Sequence, residues 1–426
     1  MNKFIMLLVF VLVFSFNAHA ENKYGGTLVF GKAADAVTMD PAHATDGETF
    51  NATVQVYDRL VHFKYGSTDI EPGLAEKWDV SKDGLKYTFY LRKGVKFHKT
   101  PYFKKDVELT ADDVVFSIKR QFDSENPYYR VGGPFEYWLS MDMSNIVKDV
   151  IKNDKYSVSI LLKKPEATFL PNLAMDFMSI LSKNYADHLY EEKRMGEMGR
   201  KPIGTGPFIF NKWIKDDRII FEVNKDYWGG RPYIDRLIMK VIPSNSVRAA
   251  ELKTGQIHIM DMPNYEELVN LRKDKNIKLI EQEGLNIAYL AFNMDKEPFN
   301  NQLVRKAVYM AINKKGIVDS VYAGYGEVAK NPYPPIIMGY NDKIVDYDYD
   351  INQAKKLLAK AGFEKGFKTT LWTMSATRPY LPNGRKVAEI IQSDLKKIGI
   401  DVDIISYDWA TYLEKTYYGE HDMALM

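Results

Sequence analysis

The chain has 426 residues, enough for about two or three domains, and its 46% hydrophobic and 27% charged residues are typical of a globular protein. The 58 basic and 56 acidic side chains leave a net charge of +2, so electrostatics gives no reason to expect nucleic acid as a partner. Cysteine is absent, which excludes disulfides, thiolate metal sites, cysteine nucleophiles and attachment of a lipid to cysteine.

The N-terminus has the pattern of an export signal. Lys3 precedes an apolar run over residues 4–16, and the small residues Ala18 and Ala20 match a cleavage site. The pattern predicts a cleaved secretory signal peptide over residues 1–20 and a mature protein free in the periplasm. An uncleaved membrane anchor is the alternative, although the apolar run is short for a membrane span.

After this leader, strand and helix patterns alternate. A continuous apolar run predicts a strand over residues 26–32, and helix-like spacing predicts a helix over residues 48–60. A strand is predicted over residues 87–91, and Thr110 with Asp113 forms a capping box that starts the next helix. The elements that follow, up to residue 283, are strands over residues 156–162, 208–213, 219–223, 237–242 and 257–260, and a helix over residues 246–254.

The rest of the chain has the pattern of an α/β unit. Its predicted elements are a strand over residues 288–293, one long helix over residues 303–322, a helix over residues 353–361, a strand over residues 369–374, a helix over residues 385–398 and a strand over residues 401–406. The last three form a strand–helix–strand crossover, which predicts a parallel sheet. The whole chain is therefore predicted to be α/β, with an insertion rich in antiparallel strands.

Signatures of catalysis are lacking in this sequence. It contains no Gly-x-Ser-x-Gly elbow, no phosphate-binding Gly-Lys-Ser/Thr loop and no His-Glu-x-x-His helix. The seven histidines are scattered without the spacing of metal ligands. We therefore predict no catalytic residue, no metal site and no cofactor, and we favour a binding protein over an enzyme.

The loop after the strand at residues 369–374 is the strongest candidate for a binding site. In parallel α/β sheets, ligands lie beyond the carboxyl ends of strands, where loops lead into helices. Arg378 lies in this loop, and Pro379 and Pro382 hold the backbone away from helical geometry. A guanidinium on a stiff loop suits bidentate capture of a carboxylate. An exposed arginine or an internal salt bridge is the alternative.

Many short stretches, in order along the chain, resemble the peptide-binding family of ABC-transporter solute-binding proteins. The general motifs are LAEKW at residues 74–78, LRKGVKFH at residues 91–98, LTADDVVFS at residues 109–117, PIGTGPF at residues 202–208 and DYWG at residues 226–229. The motifs that resemble the dipeptide-binding branch more narrowly are AMDF at residues 174–177, ILSK at residues 180–183 and RPY at residues 378–380. The resemblance covers essentially all of the chain after the leader.

This resemblance implies a two-lobed periplasmic-binding-protein fold, which closes around its solute, with an extra insertion domain. Residues 21–60 and 200–283 are expected to form the first lobe, residues 61–199 the insertion domain, and residues 284–426 the second lobe. The family continues beyond the last residue of this chain, so the C-terminal part of the fold is expected to be absent; a naturally short variant is the alternative. In relatives, the absent part carries the aspartate that pairs with the peptide's α-amino group, and Asp408 does not match it.

The resemblance also implies a set of ligand-binding residues. In the dipeptide-binding branch, the loop that resembles Arg378, Pro379 and Tyr380 holds the carboxylate end of the peptide, with the arginine as its ion partner. The position that matches Thr45, close to Gly47 in the first lobe, also contacts the ligand. These implications agree with the separate argument for Arg378 from the loop itself.

The partners implied by the resemblance are a short peptide and the permease subunits of an ABC importer in the inner membrane. The receptor is expected to be a monomer that binds neither a cofactor nor nucleic acid. One alternative is the same fold binding another solute, namely haem, glutathione, an opine or a nickel chelate. Another alternative is an exported chaperone or adhesin that uses the same lobes.

Overall fold

The computed structural model describes residues 23–337 and 339–426, so the predicted leader lies outside the described residues. The described strands are β1 (Thr27–Lys32), β2 (Val61–Phe63), β3 (Ile70–Pro72), β4 (Ala75–Val80), β5 (Lys86–Leu91), β6 (Val147–Asp154), β7 (Ser157–Leu162), β8 (Phe208–Ile214), β9 (Arg218–Val223), β10 (Arg236–Val241), β11 (Ile259–Met260), β12 (Leu290–Phe292), β13 (Phe367–Met374), β14 (Ile400–Tyr407) and β15 (Met423–Leu425). The described α-helices are α1 (Gly47–Thr53), α2 (Ala111–Lys119), α3 (Glu136–Ser140), α4 (Met143–Ile146), α5 (Phe169–Leu173), α6 (Lys183–Glu191), α7 (Asn245–Lys253), α8 (Tyr265–Lys273), α9 (Gln302–Ala311), α10 (Lys314–Val321), α11 (Ile351–Lys360), α12 (Gly384–Lys396) and α13 (Trp409–Tyr417).

The first sheet has five strands in the order β11-β1-β10-β9-β8. Strand β1 is parallel to both β10 and β11, whereas β10, β9 and β8 pair in antiparallel fashion. Because β1 is parallel to both neighbours, the loop that follows it lies at the same edge of the sheet as the loops after β10 and β11. That edge is where a ligand of an α/β sheet is expected.

A separate antiparallel sheet lies between β1 and β8 in the sequence. Its strand order is β4-β5-β7-β6, and each neighbouring pair is antiparallel. Its buried side chains belong to the same hydrophobic core as those of the first sheet, which extends from Ala36 to Met239. The predicted α/β architecture with a region rich in antiparallel strands is therefore confirmed.

The last part of the chain has its own hydrophobic core, which extends from Phe299 to Leu425. Its sheet has the strand order β12-β15-β13-β14, with β13 parallel to both β14 and β15. The predicted crossover from β13 through α12 to β14 is confirmed, with Thr369 paired to Val402 and Met374 paired to Tyr407. Two hydrophobic cores thus divide the described chain into an N-terminal and a C-terminal part.

The helix predicted over residues 48–60 is wrong in its length, because α1 ends at Thr53. The carbonyl oxygen of Val56 accepts a hydrogen bond from the N–H of Gly206 at 2.8 Å. A Cβ on Gly204 would lie only 2.0 Å from that same carbonyl oxygen, so the two segments touch backbone to backbone. The helix therefore ends early because the backbone after α1 pairs with the distant segment that contains Gly204 and Gly206.

The single helix predicted over residues 303–322 is also wrong, because α9 and α10 divide it. Ile312 adopts an extended conformation between them, with φ −91° and ψ 121°. The Asn313 side chain accepts a hydrogen bond from the N–H of Gly316 at 2.9 Å, while its own N–H donates to Asp394 at 2.9 Å. A new N-cap and a carboxylate from α12 together start the second helix.

Over the described ranges, the structure contains no helix of the length and apolar character that a membrane span requires. The same ranges contain no group of three or more His, Asp or Glu side chains arranged to hold a metal ion.

Candidate functional site

Arg378, Pro379 and Tyr380 form a closed turn at the carboxyl end of β13. Arg378 and Leu381 exchange backbone hydrogen bonds of 3.2 and 3.0 Å, and Leu381 is buried beneath the turn. Pro379 lies exposed at its tip. The Asn383 side chain then caps α12 by accepting a hydrogen bond from the N–H of Lys386 at 3.0 Å. The turn is therefore fixed at both ends, as expected for a loop that presents a side chain.

The Arg378 guanidinium is stacked on the indole ring of Trp409. The guanidinium carbon lies 3.8 Å from the ring centroid, and the Trp409 and Tyr412 rings are themselves stacked at 6.2 Å. Among the described residues, no carboxylate forms an ion pair with Arg378, and its Nε atom is buried without a hydrogen-bond partner. The guanidinium is thus held in one orientation while its charge has no partner within the described chain.

Trp409 is a residue that the sequence analysis missed. It is the first residue of α13, directly after the N-cap Asp408, whose side chain accepts a hydrogen bond from the N–H of Thr411 at 3.1 Å. Because β13 and β14 are parallel, the loops that follow them lie at one edge of the sheet, and Trp409 meets Arg378 there. The sequence signal that could have indicated Trp409 is its position at the start of a helix that directly follows a parallel strand.

Several tyrosines influence one another's pKa values near the turn. Burial raises the pKa of the Tyr380 hydroxyl, Arg378 opposes this shift, and Tyr289 and Tyr137 add to it. Tyr137 belongs to α3 in the N-terminal part, whereas Tyr380 belongs to the C-terminal part. Burial also raises the pKa of Tyr412, with further contributions from Tyr380 and Tyr289. Aromatic side chains from both parts of the chain therefore contribute to the pKa of the tyrosine that follows Pro379 in the turn.

Thr45 and Gly47 lie in the N-terminal part, Thr45 in the loop between β1 and α1 and Gly47 at the first position of α1. Both are exposed, and a Cβ on Gly47 would have no atom within 4 Å, so this segment faces open space. The intervening Asp46 caps α1, because its side chain accepts a hydrogen bond from the N–H of Thr49 at 2.8 Å. Burial raises the pKa of Tyr137, with further contributions from Asp176 and Asp46. Asp46 therefore contributes to the pKa of Tyr137, which in turn contributes to the pKa of Tyr380 in the Arg378 turn.

A buried ion pair fastens α1 to the end of β1. The Lys32 side chain is fully buried, and its Nζ atom donates to the carbonyl oxygen of Glu48 at 2.5 Å and lies 3.5 Å from Oε2 of the same residue. Burial lowers the pKa of Lys32, and the nearby Glu48 opposes this shift. The Glu48 carboxylate also accepts a hydrogen bond from the N–H of Ala33 at 3.2 Å. These contacts fix the first turn of α1, where Gly47 lies.

The chain matches the family model of bacterial extracellular solute-binding proteins, family 5 middle, over residues 69–426. The chain belongs to this family. Its α/β architecture is that of periplasmic solute-binding proteins, as the comparison with solved structures confirms.

Two curated relatives illustrate the range of solutes among family 5 proteins. The dipeptide-binding protein of Escherichia coli is 45% identical over 402 residues, which are 94% of this chain and 75% of the relative. Heme-binding protein A of Haemophilus influenzae is 43% identical over 403 residues, which are 94% of this chain and 74% of the relative. The chain is therefore similarly identical to relatives that are named for different solutes.

One solved structure resembles this fold closely. The ABC transporter-associated periplasmic binding protein DppA from Helicobacter pylori, in complex with the peptide STSA, is 48% identical and superposes with a TM-score of 0.86. The match covers 95% of this chain and 78% of the Helicobacter chain.

Proposed function

We propose that this protein captures short peptides, dipeptides above all, and delivers them to the permease of an ABC importer. The observation that carries the proposal is the Arg378 guanidinium, which Trp409 orients and which has no carboxylate partner in the described chain. A charged group kept partly out of water without a counter-ion favours an anion that arrives with the ligand. The terminal carboxylate of a peptide fits the planar fork of a guanidinium.

The surroundings of Arg378 suit the rest of a short peptide. Tyr289, Tyr380 and Tyr137 offer apolar ring faces together with hydroxyl groups, which is the mixture that small-ligand clefts use. From the opposite side, we propose that Thr45 and Gly47 contact the peptide, because both are exposed at the edge of the first sheet where ligands are expected. The identities with proteins named for dipeptides and peptides support the same solute class.

We propose the domain division that the family resemblance implies. Residues 21–60 and 200–283 form the first lobe, residues 61–199 the insertion domain and residues 284–426 the second lobe. The five-stranded sheet, the antiparallel sheet and the C-terminal hydrophobic core support this division. The protein works in the periplasm as a monomer after removal of residues 1–20, a location supported by the extracellular character of the family.

Haem is the second candidate solute, because one relative with 43% identity is named Heme-binding protein A. Haem also carries carboxylates, so Arg378 could pair with a propionate in the same way as with a peptide. The two candidates differ in the iron, which in haem proteins is held by an axial side chain such as histidine. Absorbance therefore separates them, since bound haem has a strong visible spectrum and bound dipeptides have none.

Native mass spectrometry of the full-length protein purified from its host tests the proposal. We expect a mass increment that corresponds to one or a few short peptides, which appear free after denaturation. A haem increment with matching visible absorbance would replace the peptide by the second candidate. If the protein carries neither, and calorimetric titration with a panel of dipeptides gives no heat of binding, the proposal is wrong.

A further inference from the structure

The turn that carries Arg378 is held from outside by a side chain of the neighbouring helix. The Tyr322 hydroxyl donates a hydrogen bond to the carbonyl oxygen of Tyr380 at 2.7 Å. Tyr322 is the C-cap of α10, and burial raises the pKa of its hydroxyl to about 12, so the phenol keeps its proton and stays a donor. Tyr322 therefore fixes the direction of the peptide unit that follows Tyr380, two residues after Arg378.

The end of α10 contacts the Arg378 turn and the helix that follows it. Besides the hydrogen bond from Tyr322 to the turn, the Lys386 ammonium of α12 donates to the carbonyl oxygen of Ser320 at 2.8 Å. Helix α12 begins where the loop ends, at Gly384. Both contacts lie on the C-terminal side of Arg378, so the end of α10 is connected to the turn and to the start of α12.

The same tyrosine is packed by α8, which belongs to the other part of the chain. Helix α8 follows β11 of the five-stranded sheet, packs against α7 and begins with Tyr265. The Tyr265 ring lies 6.0 Å from the Tyr322 ring and is stacked on the Tyr325 ring at 5.7 Å with an interplanar angle of 21°. The Arg272 guanidinium of α8 lies 5.6 Å from the Tyr325 ring centroid. Tyr265, Tyr322 and Tyr325, the tyrosine cluster, thus connect the two parts.

We infer that Tyr322 is a positioning residue for Arg378, and that Tyr265 packs Tyr322 into place from the other lobe. The inference rests on the proposed function, since it concerns how Arg378 is aimed at a carboxylate. Bidentate pairing needs the guanidinium plane held within a narrow range of angles. Trp409 fixes the face of the guanidinium, and Tyr322 fixes the backbone from which the side chain extends. Contact between the lobes and the geometry of the binding turn are coupled through the tyrosine cluster.

Calorimetric titration of a dipeptide into Tyr322→Phe tests the inference, because this change removes the hydroxyl and keeps the ring. We expect about fivefold weaker binding than in the wild type, the size of one lost hydrogen bond. In a protein that already carries Arg378→Lys, the same change should lower dipeptide affinity less than about twofold. The reason is that a flexible ammonium, unlike a guanidinium, does not need its plane held in one orientation. An equal loss in both backgrounds, or no loss in either, overturns the positioning role.

Tyr309→Phe is the matched control. The Tyr309 hydroxyl also hydrogen-bonds a partner in the C-terminal part, Asp346, but Tyr309 does not bond to the Arg378 turn. We expect Tyr309→Phe to bind the dipeptide as tightly as the wild type. An equal loss of affinity in this variant would show that any lost tyrosine hydroxyl weakens binding through general destabilisation, and the inference would be wrong.

Tyr265→Leu tests the coupling between lobes and leaves the Tyr322 hydroxyl in place. We expect about threefold to fivefold weaker dipeptide binding, and a loss in the Tyr265→Leu/Tyr322→Phe variant smaller than the product of the single losses. If the loss of affinity in the double variant equals the product of the two single losses, the coupling is wrong. It is also wrong if Tyr265→Leu binds the dipeptide as tightly as the wild type. If Tyr322→Phe proves unstable in a thermal melt, the result from Tyr265→Leu decides. A failure of the proposed function can be told apart from a failure of this inference, because in the first case the wild type itself binds no dipeptide.

Discussion

Arg378 is kept in place by a tryptophan rather than by a carboxylate. Its guanidinium lies 3.8 Å from the Trp409 ring centroid. A contact of this kind is worth about 0.5–2 kcal/mol and leaves the N–H edge of the guanidinium free for a planar anion. A carboxylate partner would have held the side chain equally well, but a ligand would then have had to displace it. The tryptophan orients the arginine without competing for its charge.

Replacement of Trp409 by leucine should therefore weaken ligand binding while Arg378 is still present. We expect Trp409→Leu to lower dipeptide affinity about tenfold, since the guanidinium loses the face that orients it. Isothermal titration calorimetry measures the effect. Trp78→Leu is the control, because Trp78 lies on β4, 6.3 Å from the Phe89 ring, and should change stability but not affinity. Unchanged affinity in Trp409→Leu would contradict this account of Arg378.

His98 is a buried histidine that should make the fold sensitive to mild acid. Its Nε2–H donates to the carbonyl oxygen of Gly206 at 2.9 Å, and burial lowers its pKa from 6.5 to about 4. As the pH falls below 6.5 the unfolded chain takes up a proton that the folded chain does not. Folding stability is therefore present at pH 7 and is lost as the pH falls from 6.5 towards 4.

Urea unfolding of the wild type and of His98→Gln at pH 7 and pH 5 measures this contribution. Between pH 7 and pH 5 the free energy of unfolding of the wild type should fall by about 2 kcal/mol more than that of the variant, because glutamine does not titrate. Both proteins share every other titrating group, so the difference isolates His98. Equal losses in the two proteins would show that His98 takes up a proton as readily in the folded chain as in the unfolded one, which would contradict its lowered pKa.

At the scale of elements, the sequence predicts the helices and strands that depend on nearby residues, but it misses helix ends that depend on contacts with distant residues. The capping box at Thr110 and the crossover from β13 to β14 were predicted correctly, because both depend on residues close together in the chain. The end of α1 was missed because Val56 is bound by Gly206, far along the chain. The break at Asn313 was missed because continuous apolar periodicity hid a capping residue.

Asn313 should contribute measurably to stability through its cap. We expect Asn313→Ala to lower the free energy of unfolding by about 1 kcal/mol, because the N–H of Gly316 loses its acceptor. Asn313→Ser, which retains a capping oxygen, should lose much less. Urea unfolding at pH 7 compares the three proteins. Equal stability of the alanine and serine variants would mean that the break between α9 and α10 depends on the Asp394 contact alone.

At the scale of the whole molecule, a buried ion pair connects the loop after β1 to the insertion. The two terminal guanidinium nitrogens of Arg120 donate to the Asp40 carboxylate, at 2.6 and 2.7 Å, and both residues are buried. Burial alone would raise the pKa of Asp40, but Arg120 outweighs it and holds this pKa below 3.8. The stabilisation from this depressed pKa is present above pH 3.8 and is lost as the pH falls through the lowered value.

Arg120→Met should destabilise the protein by about 3–5 kcal/mol at pH 7, because the Asp40 carboxylate would be buried without a partner. In the variant, burial raises the pKa of Asp40, so the deficit should shrink at pH 5, where the carboxyl can be protonated. Urea unfolding at both pH values measures the change. Lys183→Met, which breaks the exposed pair with Asp187, should have a much smaller effect. A deficit that is equal at both pH values would contradict the assigned ion pair.

The site was only half predictable from the sequence. Arg378 could be singled out because a stiff loop after a strand is a local feature, and Thr45 and Gly47 came from family resemblance. Trp409 and Tyr322 could not be found in this way, because they reach the Arg378 turn from other helices. Contacts of this kind depend on how helices pack over the sheet, and short sequence patterns do not encode that packing.

The central claim is that Arg378 binds the terminal carboxylate of a peptide. Calorimetric titration of the full-length protein with a dipeptide, in the wild type and in Arg378→Ala, tests it most directly. We predict that Arg378→Ala loses about 2–5 kcal/mol of binding free energy, that Arg378→Lys recovers only part of it, and that a dipeptide amidated at its C-terminus binds the wild type poorly. Equal affinity of Arg378→Ala and the wild type, or of the amidated and free dipeptides, would contradict the account.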